Sequence, residues 1–104
     1  MLDSASEAYA LIRDKSRADL DTNRVLSLAL VRLLEIVGEA ANKVNAETRK
    51  EIPGIPWSQI VSLRHRLIHG YDTIDMDILW KILTADLPEL IEQITKVIKP
   101  ENNE

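Results

Sequence analysis

The segment RHRLIHGYD, residues 64–72, holds the side chains of this sequence that are best suited to chemistry. It gathers Arg64, two histidines and Tyr71 around a glycine, the residue type that most often ends a helix. A guanidinium binds anions and an imidazole binds protons or metal ions, so the segment could form a site. The same side chains could also only finish a helix, with His69 stabilised by the helix dipole and Tyr71 a partly buried ring.

Arg64 lies on the apolar side of its predicted helix. On a helical wheel with Ile60 at the origin, Arg64 falls at about 40°, inside an apolar arc. The arc consists of Ile60, Val61, Leu63, Leu67 and Ile68. A charged guanidinium is rarely buried alone. Arg64 either extends its head group out of the arc or pairs with an acidic residue such as Glu35 or Glu39. Alternatively, the arc faces a partner or a cleft in which Arg64 meets an anion.

His65 and His69 are four residues apart and share a helix face, a spacing that could hold a metal ion. A zinc site needs at least a third ligand, and the chain has no Cys and no further His to supply one. Asp72 lies nearby in the sequence, but its spacing does not identify it as the third ligand, so we expect no metal site. Arg64 and His69 are about 140° apart on a regular helix. A site that uses both therefore needs unwinding at Gly70 or a second copy of the helix.

Helical periodicity runs through the chain and predicts an all-α bundle of about four or five helices. A first helix is expected over about 4–15, a second from Asp21 or Thr22 to about 44, and a short helix or turn at 46–52. A third helix opens at Pro56 or Trp57 and ends at Gly70. A fourth covers about 75–98, and the tail from about 99 is expected to fray.

Two capping signatures refine these boundaries. Ser4 and Glu7 have the spacing of a capping box at the start of the first helix. Pro88 interrupts the fourth helix, which therefore kinks or restarts there, with Asp86 and Glu89 as a second capping pair. Both tryptophans of the chain are expected to lie in the core.

The second helix carries one narrow polar stripe on an otherwise apolar surface. The stripe consists of Arg24, Arg32, Glu35, Glu39 and Asn42. Glu35 and Glu39 could act as general acid and base, but the nearby Arg32 favours a solvated ion-pair stripe. A chain of this size can hardly cover the rest of the helix alone, so we expect a homodimer.

The composition bounds the class of protein. The chain has 104 residues, enough for one domain over 1–104, and no cysteine, which fits a reducing, cytoplasmic setting. From the sequence we expect neither a signal peptide nor a membrane span. A net charge of -4 argues against an extended nucleic-acid-coating surface, although a small basic cleft stays possible.

The pattern R-x-x-x-x-H from Arg64 to His69, followed by Tyr71, resembles the signature of HEPN-domain proteins. The match is closer to the HepT-like branch, the toxin half of the HepT/MntA type of toxin–antitoxin pair. Three stretches resemble that branch in the right order: LALVRLLEIVGEAANKV, IPWSQIVSLRHRLIHGYDTIDMDILW and DLPELI. The resemblance covers about 20–91, most of the chain.

This resemblance implies an all-α homodimer in which two copies of the motif form one composite site. It also implies an endoribonuclease that needs no metal ion or cofactor, in which the RNA 2′-OH attacks the adjacent phosphate. His69 would transfer the proton and Arg64 would hold the phosphate, with His65 and Arg66 as auxiliary RNA-binding residues. The partner implied is a minimal nucleotidyltransferase antitoxin that uses ATP to attach AMP to Tyr71.

One position departs from the family pattern. The residue after the motif arginine is often Asn, and here it is His65. His65 could replace that Asn, compete with His69 for the proton, or mark an inactive nuclease. The alternative function is a non-catalytic HEPN module that binds nucleotide or RNA, or docks a nucleotidyltransferase.

Overall fold

The computed structural model describes residues 1–68 and 73–102, with side chains up to residue 97. The helices are α1 (Leu2–Leu11), α2 (Arg17–Thr22), α3 (Arg24–Asn42), α4 (Ala46–Glu51), α5 (Trp57–Val61), α6 (Leu63–Leu67), α7 (Met76–Lys81) and α8 (Leu87–Asn102), with a π-helical turn at Ile82–Asp86. Over the described ranges, pairing between extended segments is limited to one antiparallel bridge from Ile68 to Ile74. The predicted all-α class is confirmed.

The N-terminal helices differ from their predicted boundaries. α1 starts at Leu2, and the Ala5 N–H already donates to the Met1 carbonyl at 3.1 Å. Ser4 is therefore inside the helix, and the predicted Ser4–Glu7 capping box is wrong. A capping contact forms at the unpredicted helix α2, where the Asp19 carboxylate accepts from the Ser16 backbone N–H at 2.6 Å.

Helix α3 is the centre of the bundle and packs against α1, α2, α5 and α6. The Asn23 side chain caps its start by accepting from the Leu26 N–H at 3.0 Å. Its inward side is fully buried at Leu30, Leu34 and Val37, while the polar stripe faces outward. The predicted amphipathic helix is confirmed over nearly its whole length.

Arg49 closes the C-terminal end of α3, a role the sequence pattern did not reveal. Its guanidinium donates to the carbonyls of Ala41 and Val44, each at 3.0 Å. The carbonyls at a helix end lack intrahelical partners, so this side chain satisfies groups that would otherwise need water. The ring of Trp57 lies under the same guanidinium at 5.7 Å, and its indole N–H donates to the carbonyls of Arg49 and Ile52 at 3.2 and 3.1 Å.

The predicted third helix is divided at Ser62 and ends before Gly70. The Ser62 hydroxyl donates to the Ser58 carbonyl at 2.8 Å, a back-bond that commonly bends helices, and α5 and α6 meet at this residue. α6 ends at Leu67 because Ile68 takes an extended conformation and pairs with Ile74. The prediction that one helix runs to Gly70 is therefore wrong.

The last helical stretch continues through Pro88. Asp75 caps α7 by accepting from the N–H groups of Asp77 and Ile78 at 3.1 and 3.0 Å. Pro88 has no N–H for the carbonyl four residues earlier, and the backbone adjusts by the π-helical turn that precedes it. α8 follows this turn without a break in helical backbone, and the Asp86 carboxylate pairs with Arg66, so the predicted Asp86–Glu89 capping pair is wrong.

One hydrophobic core joins α1, α3, α7 and α8. Trp57 and Trp80 pack against its edge and are half-buried rather than central. Arg17 ties α2 to α7 by donating to Asp77 at 2.8 Å, and it also binds Asp21 at 2.9 Å. These hydrogen bonds, with Asp21 the larger cause, raise the pKa of Arg17 above its ordinary value. Among the described helices, none is long and apolar enough to cross a membrane.

Candidate active site

Arg64 lies on α6 and reaches across to α3. Its Nε atom is 3.5 Å from Oε2 of Glu35, so the predicted pairing with the acidic stripe is confirmed. The Arg64 side chain is nevertheless 73% exposed, against 21% for Glu35. Within the described part of the chain, the two terminal nitrogens of Arg64 have no protein partner. A fork of free N–H donors in this position can bind an anion that arrives from solvent.

Gly38 allows α3 and α5 to approach closely enough for this contact. A Cβ atom on Gly38 would lie 3.0 Å from the Ile60 carbonyl oxygen and 3.5 Å from that of Val61. Glu35 stands about one turn before Gly38 on α3, and Arg64 stands one turn after Ile60. The small residue therefore sets the helix spacing that brings Glu35 and Arg64 together.

Arg64 separates two shallow grooves of opposite character. The first, here called the acidic groove, has a volume of about 240 Å³ and is lined by Glu35, Gly38, Glu39, Asn42, Val61 and Arg64. The second, here called the His65 groove, has a volume of about 330 Å³ and is lined by Val61, Ser62, Arg64, His65 and Ile68. No carboxylate is among these described lining residues of the His65 groove, whereas Glu35 and Glu39 line the acidic groove, so the described residues of the His65 groove repel an anion less.

The carboxylates of the acidic groove both have cationic partners. Glu39 accepts from Arg32 at 3.3 Å, and Glu35 pairs with Arg64. The interpretation of Glu35 and Glu39 as members of an ion-pair stripe is confirmed.

His65 is exposed and lies beside Arg64, whereas His69, Gly70, Tyr71 and Asp72 are outside the described residues. The geometry between Arg64 and His69 therefore stays a prediction. The angle of about 140° assumed a regular helix through residue 69, and α6 ends at Leu67, so that angle does not apply.

The two sides of segment 69–72 are joined by backbone hydrogen bonding. The Asp75 N–H donates to the Leu67 carbonyl at 2.9 Å, next to the bridge between Ile68 and Ile74. Ile68, the residue before His69, is held by these backbone contacts and lines the His65 groove.

Arg66 faces a different surface from Arg64. Its Nη2 atom donates to the Asp86 carboxylate at 3.2 Å, and both side chains are about one-third exposed. The π-helical turn before Pro88 carries Asp86 to this position. Sequence reasoning assigned Asp86 to a cap and missed this pair, since no local spacing links residues 66 and 86.

Metal ligands are not grouped in the described ranges 1–68 and 73–102. No set of three or more His, Cys, Asp or Glu side chains there could hold a metal ion. The spacing of His65 and His69, which we did not expect to bind a metal ion, includes a residue outside those ranges.

An all-α bundle with an exposed motif arginine on the helix before the motif histidine is the arrangement expected of a HEPN domain. The family model described as HepT-like, "Ribonuclease HepT-like", matches residues 1–97, and the chain belongs to this family. The resemblance on residues 64–71 is thereby confirmed at the level of the family.

Several relatives carry ribonuclease names. A Methanocaldococcus jannaschii protein named provisionally as an RNase is 35% identical over 94 residues, which cover 90% of this chain and 86% of the relative. A Thermococcus cleftensis protein named provisionally as ribonuclease HepT is 32% identical over 102 residues, covering 94% and 93%.

A second M. jannaschii protein, named as a gamma-glutamylcyclotransferase and provisional RNase, is 32% identical over 99 residues. Those residues are 95% of this chain and only 45% of that longer protein. No solved structure matches the chain. The family and these names support a ribonuclease-type HEPN function.

Proposed function

We propose that this chain is an endoribonuclease toxin that cleaves RNA without a metal ion, at a site formed by Arg64 and His69 of two copies. The observation that carries the proposal is the free, solvent-facing fork of Arg64 beside a groove without described carboxylates. Family membership supports the same class of reaction. The toxin role and the antitoxin partner rest on the sequence resemblance.

The proposed reaction is an internal transesterification. The RNA 2′-oxygen attacks the adjacent phosphorus, the bond to the 5′-oxygen breaks, and a 2′,3′-cyclic phosphate remains. The imidazole of one His69 takes the 2′-hydroxyl proton, and the imidazolium of the second copy protonates the leaving 5′-oxygen. Arg64 holds the phosphate and stabilises the charge that develops on it.

A homodimer is part of this proposal because one copy supplies only one motif histidine. Apolar side chains on the outer side of α3 support it: Val25 is 78% exposed and Leu28 is 43% exposed. Burial of such residues against a second copy would remove apolar surface from water. Both residues lie on the helix that carries Glu35, so dimerisation through α3 would bring a second copy near Arg64.

Tyr71 is the proposed site of neutralisation by a minimal nucleotidyltransferase. The enzyme would transfer AMP from ATP to the Tyr71 hydroxyl and release pyrophosphate. The attached nucleotide adds negative charge and bulk two residues after His69, which would repel the RNA phosphate.

The auxiliary residues have different proposed roles. His65 lines the same groove as Arg64 and is positioned to donate a hydrogen bond to RNA. Arg66 binds Asp86, so its contribution to RNA binding is proposed to be the smaller one.

A non-catalytic HEPN module is the alternative function. The observations that favour it are the net charge of -4, His65 in place of the usual Asn, and the Glu35 carboxylate that competes with phosphate for Arg64. Such a module would bind nucleotide or RNA, or dock a nucleotidyltransferase, without cleaving.

The deciding experiment is cleavage of total cellular RNA by purified wild type and His69→Ala in EDTA, with analysis of the new RNA ends. We expect cyclic-phosphate ends from the wild type alone, with both proteins folded and in the same oligomeric state. Equal cleavage by the two proteins would indicate a contaminating nuclease. No cleavage by either would favour the non-catalytic module.

A further inference from the structure

A groove between α1 and α7 combines aromatic rings with cations and lies apart from Arg64. It has a volume of about 360 Å³ and is lined by Tyr9, Ile12, Arg13, Lys15, Trp80 and Thr84. This volume is within the usual range of small-ligand sites, about 300–1,000 Å³. Among the described residues, it shares no lining residue with the acidic groove or the His65 groove. We call it the Tyr9–Trp80 groove.

The aromatic content of the groove is high for this chain. The sequence has two Trp, two Tyr and no Phe, so Tyr9 and Trp80 are half of its aromatic residues. Trp57 has a structural role, because its indole N–H donates to two backbone carbonyls and its ring lies under Arg49. Trp80 makes no such hydrogen bond to the described residues, and Tyr9 is 43% exposed.

The two cations of the groove have no ion-pair partner among the described residues. Arg13 and Lys15 lie in the turn after α1, are exposed, and form no ion pair with the described residues. Favourable interaction with the C-terminal end of α1 accounts for basic residues in this turn. It does not account for two partly exposed aromatic rings beside them. Rings next to free cations are the combination that binds the bases and phosphates of single strands.

We propose that the Tyr9–Trp80 groove binds single-stranded RNA, with a base against Tyr9 or Trp80 and a phosphate held by Arg13 and Lys15. The groove would be a second contact for the RNA, at a distance from the bond that is cleaved. This role rests on the proposed ribonuclease function. The local positive charge of the groove also permits RNA binding by a chain whose net charge is -4.

The first test measures tryptophan fluorescence during titration with a 2′-O-methyl oligouridylate of about ten nucleotides, within the span that single-strand grooves bind. This probe cannot be cleaved through a 2′-hydroxyl, so binding is measured independently of nuclease activity. We expect quenching in the wild type that disappears in Trp80→Phe, which keeps Trp57 and an aromatic ring at the edge of the core. Equal quenching in both proteins would overturn the proposal.

The second test measures how affinity depends on salt. Arg13→Gln/Lys15→Gln should weaken binding about tenfold at low salt and reduce the slope of log Kd against log salt by about 0.7, the value for the one phosphate contact that is lost. Lys50→Gln/Lys96→Gln has the same change in net charge on other surfaces and should leave the slope unchanged. Equal effects of the two double variants on the affinity and on the slope would overturn the proposal that RNA binds specifically at this groove.

A third variant, Tyr9→Ala, removes an exposed ring without opening the core and should weaken binding about five- to tenfold. Normal RNA binding by the groove variants, with lost binding of a nucleotidyltransferase, would make the groove a protein-docking surface and overturn the proposal. RNA binding without cleavage by the wild type would support the groove while the nuclease proposal fails. Cleavage that is unaffected by all groove variants would support the nuclease proposal and overturn the role of the groove in substrate binding.

Discussion

Glu35 contacts Arg64 on one edge of the guanidinium and leaves the other edge open. The contact joins Oε2 of Glu35 to Nε of Arg64 at 3.5 Å, with the carboxylate sheltered and the arginine exposed. An arginine oriented in this way loses less conformational freedom when it binds a phosphate. Glu35 would therefore be a positioning residue, with Arg64 as the group that touches RNA.

Replacement of Glu35 should reduce turnover more than stability. For Glu35→Gln, we expect kcat to fall about three- to tenfold because Arg64 loses its orientation, while the free energy of unfolding changes by less than about 1 kcal/mol. Glu39→Gln is the matched control, because Glu39 pairs with Arg32 instead. Steady-state cleavage of a labelled RNA and urea denaturation measure the two effects. An unchanged kcat in Glu35→Gln would remove Glu35 from the site.

Gly38→Ala should destabilise the bundle despite the better helix propensity of alanine. Propensity alone predicts a gain of about 1 kcal/mol, but the new Cβ would meet the Ile60 carbonyl at 3.0 Å. Crowding of this kind costs about 1–3 kcal/mol, so we expect a net loss of about 1 kcal/mol and lower RNA cleavage. Thermal and urea unfolding measure the change. A more stable variant would mean that α3 and α5 can separate without strain.

The Arg66–Asp86 pair should stabilise the connection between α6 and the π-helical turn. A double-mutant cycle with Arg66→Gln and Asp86→Asn is expected to give a coupling energy of about 0.5–1.5 kcal/mol, because both side chains are partly buried. The exposed Lys96–Glu92 pair is the control and should couple by less than about 0.5 kcal/mol. A coupling energy no larger than that of the control pair would show that the Arg66–Asp86 pair does not stabilise the contact between α6 and the π-helical turn.

Tyr71→Phe should separate toxicity from neutralisation. The change removes only the hydroxyl, so growth inhibition should persist, while protection by a co-expressed nucleotidyltransferase is lost. Incubation of purified wild type and variant with that enzyme and labelled ATP measures the transfer directly. Label on Tyr71→Phe equal to that on the wild type would exclude Tyr71 as the acceptor.

The sequence by itself determined the helical class, the family and the main amphipathic helix. The helical class and the amphipathic helix follow from local periodicity, since the 3.6-residue pattern of α3 persists whatever its neighbours do. The family follows instead from the resemblance of the motif at residues 64–71 and its flanking stretches. Pairing of Arg64 with an acidic stripe was also predictable, because an apolar arc rarely holds a lone guanidinium.

The tertiary structure decided which carboxylates Arg64 and Arg66 meet and where the helices end. Ser4 and Asp86 have local capping spacings, yet neither forms its predicted cap, since the helices α1 and α7–α8 run through those positions. The choice of Glu35 for Arg64 depends on helix spacing at Gly38, and the choice of Asp86 for Arg66 depends on the π-helical turn. Contacts between residues distant in sequence are fixed by packing, which no local pattern records.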